Sequence, residues 1–176
     1  MKMKKYLIMP LLLYIALSVI VGCTPKTEYD DLEIIKIETS WHEGFAPFSG
    51  EYVRTFDFKN GSVYDTLATD ADISEILEHT PGLTAEDLNT PKLVSTFTEE
   101  QASKLYDKIK SLGFLAWKDK YISDDQICDG GSESVTVYFA DGTEKHTRIY
   151  FKDPPKYDKI REAFEEYLGV SFYSGR

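Results

Sequence analysis

From Leu32 onward the apolar positions switch between period-two and helical spacing, which predicts a succession of strands and helices in one domain. Leu32 to Thr39 reads as a strand carried by Leu32, Ile34, Ile35 and Ile37. Ser40 to Gly50 reads as a loop holding Trp41, His42, Phe45 and Phe48. Glu51–Phe58 and Ser62–Ala68 predict a hairpin across Asn60-Gly61, a dipeptide suited to tight turns. Asp72–His79 reads as a short helix with Asp72 as N-cap and Glu75 completing a capping box, stopped by Pro81-Gly82. Thr84–Leu88 predicts one further turn, and Lys92–Phe97 a short strand.

Thr98-Glu99-Glu100-Gln101 is a second capping box, opening a helix to about Leu112 with Ala102, Leu105, Ile109 and Leu112 on one stripe. Gly113 supplies a left-handed stop, after which Phe114, Leu115 and Trp117 return to the core. Lys118–Ser132 reads as a polar loop, Glu133–Phe151 as a second hairpin. After Asp153-Pro154-Pro155, the residues Tyr157, Ile160, Phe164, Tyr167 and Leu168 stripe a final helix.

The second hairpin has two possible registers. A two-residue loop at Asp141-Gly142 sets Val135, Val137 and Phe139 opposite Glu144, His146 and Arg148. A three-residue loop, Ala140-Asp141-Gly142, sets them with Lys145, Thr147, Ile149 and Phe151 instead, and turns His146 outward. One residue of slip flips a whole face, so burial selects the second register. Phe58–Ser62 and Phe139–Thr143 are similar in sequence, which fits either a hairpin duplication or convergent turn chemistry.

The segment ahead of Leu32 has another character. Lys2, Lys4 and Lys5 precede an apolar run from Tyr6 to Val21, followed by Gly22 and Cys23. A charged start, a short apolar core and a small residue at the cleavage site describe a secretory signal. The run falls short of the roughly 20 residues a spanning helix needs, and it contains Pro10. Ile20-Val21-Gly22-Cys23 resembles the lipobox of bacterial lipoproteins. The resemblance implies cleavage after Gly22 and acyl chains, palmitate among them, on Cys23. The expected organisation is a signal peptide at 1–22, a lipidated tether at 23–31 and a single α+β domain at 32–176. The implied location is the cell membrane or outer membrane, lipid-anchored, with the domain facing the periplasm or exterior.

Three of the 20 basic residues lie in the leader and no acidic ones, so the mature chain carries 17 basic against 30 acidic residues, a formal charge of −13. Such a surface excludes nucleic acid as a partner and disfavours a polybasic grip on anionic lipid. With Cys23 consumed by lipid, Cys128 is left without an internal disulfide partner.

Candidate chemistry concentrates in Tyr121–Gly130, where Asp124, Asp125 and Asp129 surround Cys128. Several carboxylates in one loop suit Ca²⁺, but the EF-hand spacing fails. With Asp125 first, the third position holds Ile127 and the twelfth Thr136. No metal or other cofactor is therefore expected. Cys128 would need a base such as His42, His79 or His146 to act as a nucleophile, and no Gly-rich nucleophile turn surrounds it. No P-loop, dinucleotide fingerprint, zinc spacing or hydrolase elbow is present.

Trp117–Tyr121, Cys128-Asp129-Gly130 and Phe139–Thr143 are similar to a pattern in uncharacterised small lipoproteins of gut-type bacteria, over roughly residues 98–168. That resemblance implies a small exported α+β domain and no particular activity. The expected architecture is an antiparallel sheet built from hairpins, with helices at 99–112 and 156–168 packed on one face. The expected function is a non-enzymatic binding or accessory module on a lipid anchor. Its partner is the membrane through Cys23, plus a protein or small molecule met at Trp41, His42, Tyr121, Asp124, Asp125 and Asp129. The competing expectation is an extracytoplasmic enzyme using Cys128 or the carboxylates of the 121–130 loop.

Overall fold

The computed structural model describes residues 26–42, 50–69, 73–79, 82–123 and 131–174. The strands are β1 (Ile34–His42), β2 (Gly50–Asp57), β3 (Ser62–Thr69), β4 (Lys92–Thr96), β5 (Lys120–Ile122), β6 (Ser132–Phe139) and β7 (Glu144–Tyr150). The helices are α1 (Ile73–His79), α2 (Glu99–Ser111) and α3 (Tyr157–Leu168). The strands form one seven-stranded sheet in the order β4-β3-β2-β1-β6-β7-β5. Six of them pair antiparallel, and β5 joins parallel to β7, so the sheet is mixed rather than built from hairpins alone. The class is α+β.

Strand alternation sorts the side chains onto two faces. Ile37, Phe56, Val63, Val135, Val137, Phe139 and Ile149 are buried in one cluster with Leu105 and Ile109 of α2 and Ile160 and Phe164 of α3. Phe56 and Phe164 meet at 4.7 Å between ring centres. Ile34 and Ile37 both reach this core although three residues apart, because the register shifts between Ile34 and Lys36 and one extra residue is absorbed there.

The second hairpin adopts the three-residue loop. Val135 stands opposite Thr147 and Val137 opposite Lys145, Gly142 takes φ +88°, and His146 is exposed. Phe151 departs from expectation. It has a left-handed φ of 55° and stays 48% exposed, because the chain leaves the strand there. The first hairpin closes with four residues, 58–61, between paired Asp57 and Ser62, so the two similar sequences make different turns. Gly61 is required: its φ is +60°, and a Cβ there would stand 2.5 Å from the carbonyl oxygen of Phe97. That close approach lets the Gly61 carbonyl accept the Phe97 N–H at 2.8 Å, fastening the end of β4.

α2 starts as the sequence predicts. Thr98 Oγ1 accepts the Gln101 N–H at 3.2 Å and Gln101 Oε1 accepts the Thr98 N–H at 2.9 Å. Gly113 ends it with φ +80°. The expected N-cap Asp72 and the side chain of Glu75 lie outside the described residues.

Three parts of the chain were not anticipated. Trp41 and His42 extend β1 instead of opening a loop. β5 interrupts the supposed polar loop, held by its backbone to β7. Beyond α3, Phe172 and Tyr173 are each 1% exposed and close the core. Phe172 packs at 4.7 Å on Phe164, and buried Arg54 grips this tail. Arg54 Nε and Nη2 each donate to Asp65 at 2.7 Å, and Nη1 donates to the Ser171 carbonyl at 2.7 Å. A buried guanidinium persists only with such a full set of acceptors.

At the sheet edge, Leu93 and Val94 of β4 are 60% and 45% exposed. A register shift places Ser95 opposite Val63 and Leu93 opposite Tyr64, leaving Val94 as a bulge. Such a bulge twists an edge away from further pairing.

The segment read as a tether is folded onto the domain from Thr27. Its backbone N–H and Oγ1 donate to Asp30 at 2.9 and 3.1 Å. Lys110 Nζ donates to the Asp30 carbonyl at 2.6 Å. Tyr29 stacks on Phe139 at 5.4 Å, with Lys145 Nζ 5.1 Å from its ring centre.

Candidate functional site

The other set of strand positions is polar. Lys36, Glu38 and Ser40 of β1 alternate with its core residues. Ser134 and Thr136 of β6, and His146 and Arg148 of β7, do the same. Apart from Lys36, these side chains, with Glu51 and Val53 of β2 and with Ser132, Glu133 and Tyr150, line a hollow of about 400 Å³.

A chain of hydrogen bonds crosses the strands within it. Ser40 Oγ donates to the Glu51 carboxylate and lies 2.7 Å from Ser134 Oγ. On the next pair of strands, Arg148 Nε donates to His146 Nε2 at 3.0 Å, and His146 Nδ1 lies 2.9 Å from Thr136 Oγ1. A guanidinium can only donate, so Nε2 carries no proton and the neutral ring bears it on Nδ1, which donates to Thr136. Partial burial and the adjacent Arg148 charge both lower the His146 pKa, in keeping with that neutral form.

At the other side of the hollow, Tyr138 donates to Glu38 Oε2 at 2.6 Å, and Lys36 binds Glu38 at 2.8 Å. The Lys36 ammonium also sits 3.7 Å over the Tyr138 ring. Burial, then the Glu38 carboxylate, push the Tyr138 phenol far above its ordinary pKa.

This arrangement can bind but is poorly set for acid–base chemistry. The basic nitrogen of His146 is occupied by Arg148, so it cannot take a proton from a hydroxyl or from water without breaking that bond. The guanidinium, the two carboxylates and the hydroxyls present donors and acceptors together, held in fixed directions by strand geometry.

Of the residues expected to form a contact surface, Trp41, His42 and Tyr121 are among the described residues. Trp41 faces the core: its Nε1 donates to the Ser174 carbonyl at 2.6 Å, and its ring stacks on Tyr52 at 4.7 Å. His42 Nδ1 lies 3.0 Å from the Gly50 carbonyl, bracing the two strand ends around residues 43–49. Tyr121 is half-buried in β5, its hydroxyl accepting the Lys118 N–H at 3.0 Å. Asp124, Asp125, Cys128 and Asp129 lie outside the described residues, as do Phe45, Phe48 and Cys23. The roots of both intervening loops nevertheless share one end of the sheet, since His42 pairs with Ser132 and Ile122 with Tyr150.

Of the histidines, His146 points outward as its register requires, and the side chain of His79 lies outside the described residues. Among the described residues no group of three His, Cys, Asp or Glu could hold a metal ion, and no helix is long and apolar enough to cross a membrane. The hollow itself escaped sequence reading. Its signal was the polar phase of each strand, Glu38/Ser40, Ser134/Thr136 and His146/Arg148, which separately look like ordinary solvent-facing positions. No protein-family model, curated protein or solved structure matches the chain.

Proposed function

We propose that the protein is an exported, lipid-anchored binding module, held to a bacterial membrane through Cys23 and recognising its partner on the polar sheet face. In this reading α2 and α3 both cover the apolar face and leave the opposite face free for contact. The burial of Leu105, Ile109, Ile160 and Phe164 with the apolar strand positions supports that division. The anchor rests on the lipobox resemblance of Ile20–Cys23. The observation that carries a binding role over a catalytic one is the clamped neutral His146, whose free basicity is spent on Arg148.

Two measurements test the reading. Mass spectrometry of the protein purified from its native membrane should find Cys23 as the modified first residue, and Cys23→Ala should release the domain into the soluble fraction. An unmodified Cys23, or an intact leader, overturns the anchor. A photocrosslinking residue at Thr55 on the polar face should trap a partner in native membranes, and one at Lys159 on α3 should not. Equal trapping from α3 overturns the choice of face.

A further inference from the structure

The chain's point of entry sets which end of the domain looks away from the membrane. Glu33 and Ile34 lie at the end of the sheet where β1 begins, β2 ends, β3 begins, β6 ends and β7 begins. There Ile34 pairs with Phe139, Asp57 with Ser62, and Ala140 N–H donates to the Glu33 carbonyl at 2.9 Å. The entering segment is fixed at this same end. Tyr29 stacks on Phe139, Tyr106 donates to the Leu32 carbonyl at 3.4 Å, and Lys110 holds Asp30.

Four residue steps separate Cys23 from Thr27, at most about 14 Å of extended chain. The sheet is longer: strands of eight residues, such as β2 and β3, span about 26 Å. The far end carries His42, Gly50, Thr69, Ser132, Tyr150 and Ile122, and with them the described residues on either side of 43–49 and 124–130.

We propose that the lipidated protein stands on the bilayer with its turn end, Thr27–Leu32 and Ala140–Gly142, facing the lipid headgroups. The loop roots, and the polar hollow on the sheet face nearer that end, are then held away from the bilayer, toward a partner in the aqueous space rather than in the membrane. This rests on the lipid-anchor reading of Cys23. The short link prevents the far end from reaching the bilayer unless the domain lies flat. An acidic domain lying flat on an anionic surface meets repulsion over its whole length.

The test uses full-length lipidated protein in vesicles of phosphatidylethanolamine and phosphatidylglycerol, carrying Cys128→Ser. A single fluorophore is placed at Ala140→Cys or at Lys152→Cys, beyond the far end of β7. Nitroxide-headgroup lipid should quench the Ala140 label severalfold more than the Lys152 label. A 20-residue Gly/Ser insertion after Cys23, with an r.m.s. span of about 25 Å, should bring the two values close together. Equal quenching without the insertion overturns the orientation, as does stronger quenching at Lys152. A difference that survives the insertion overturns the short link as its cause. Mass of the Cys23 peptide separates the two claims: an unmodified thiol overturns the anchor and the orientation together, whereas a lipidated chain with equal quenching overturns the orientation alone.

Discussion

The two faces of the sheet solve the same problem by different physics. On the apolar face, order comes from packing: Phe56, Phe164 and Phe172 contact one another, and buried Arg54 has its Nε and both terminal nitrogens hydrogen-bonded. On the polar face, order comes from hydrogen bonds between neighbouring strands, Glu51–Ser40–Ser134 and Thr136–His146, the last continued along β7 to Arg148. Packing excludes water and is costly to break. The polar network is open to solvent, so losing one of its hydrogen bonds costs the fold little.

Mutations should separate the faces sharply. Phe164→Ala removes a fully buried ring, and chemical denaturation should show a loss of about 3–5 kcal/mol. Asp65→Asn leaves the buried Arg54 charge without its carboxylate. Because Asp65 keeps 26% of its side-chain exposure, the loss should be about 2–3 kcal/mol, below that of a fully buried pair. Thr136→Val on the polar face should cost under about 1 kcal/mol. A loss there as large as that of Phe164→Ala would end the distinction.

The finest contrast is in pH. His146 has a lowered pKa in the folded protein, so the unfolded chain takes up this proton first as pH falls. The stabilising contribution is complete above the ordinary histidine range near about 6.5 and is lost as pH drops through and below it. His146→Gln should therefore flatten, by a small amount, the decline in melting temperature between about pH 7.5 and pH 5.5. An unchanged slope would place the proton uptake elsewhere.

Legibility in the sequence followed the same divide. The β6–β7 register could be read because burial of Val135, Val137 and Phe139 leaves one workable alignment. The α2 start was legible because Thr98 and Gln101 satisfy each other locally. β5 was not, being three residues long and held by parallel backbone pairing that no side-chain pattern announces. Phe172-Tyr173 is too short to show periodicity, and its partners Phe56, Phe164 and Tyr157 are distant in sequence or on another element. The polar hollow was hidden for another reason: it takes two to four residues from each of four strands, and only the strand order brings them together.

The burial of Phe172 and Tyr173 ties completion of the fold to the order in which the chain is delivered. The core they cover is made by residues that precede them, so a polypeptide emerging amino end first holds an unfinished interior until residues 172 and 173 arrive. Stalling before position 172 would leave Phe56 and Phe164 facing water, a form that quality-control proteases can recognise.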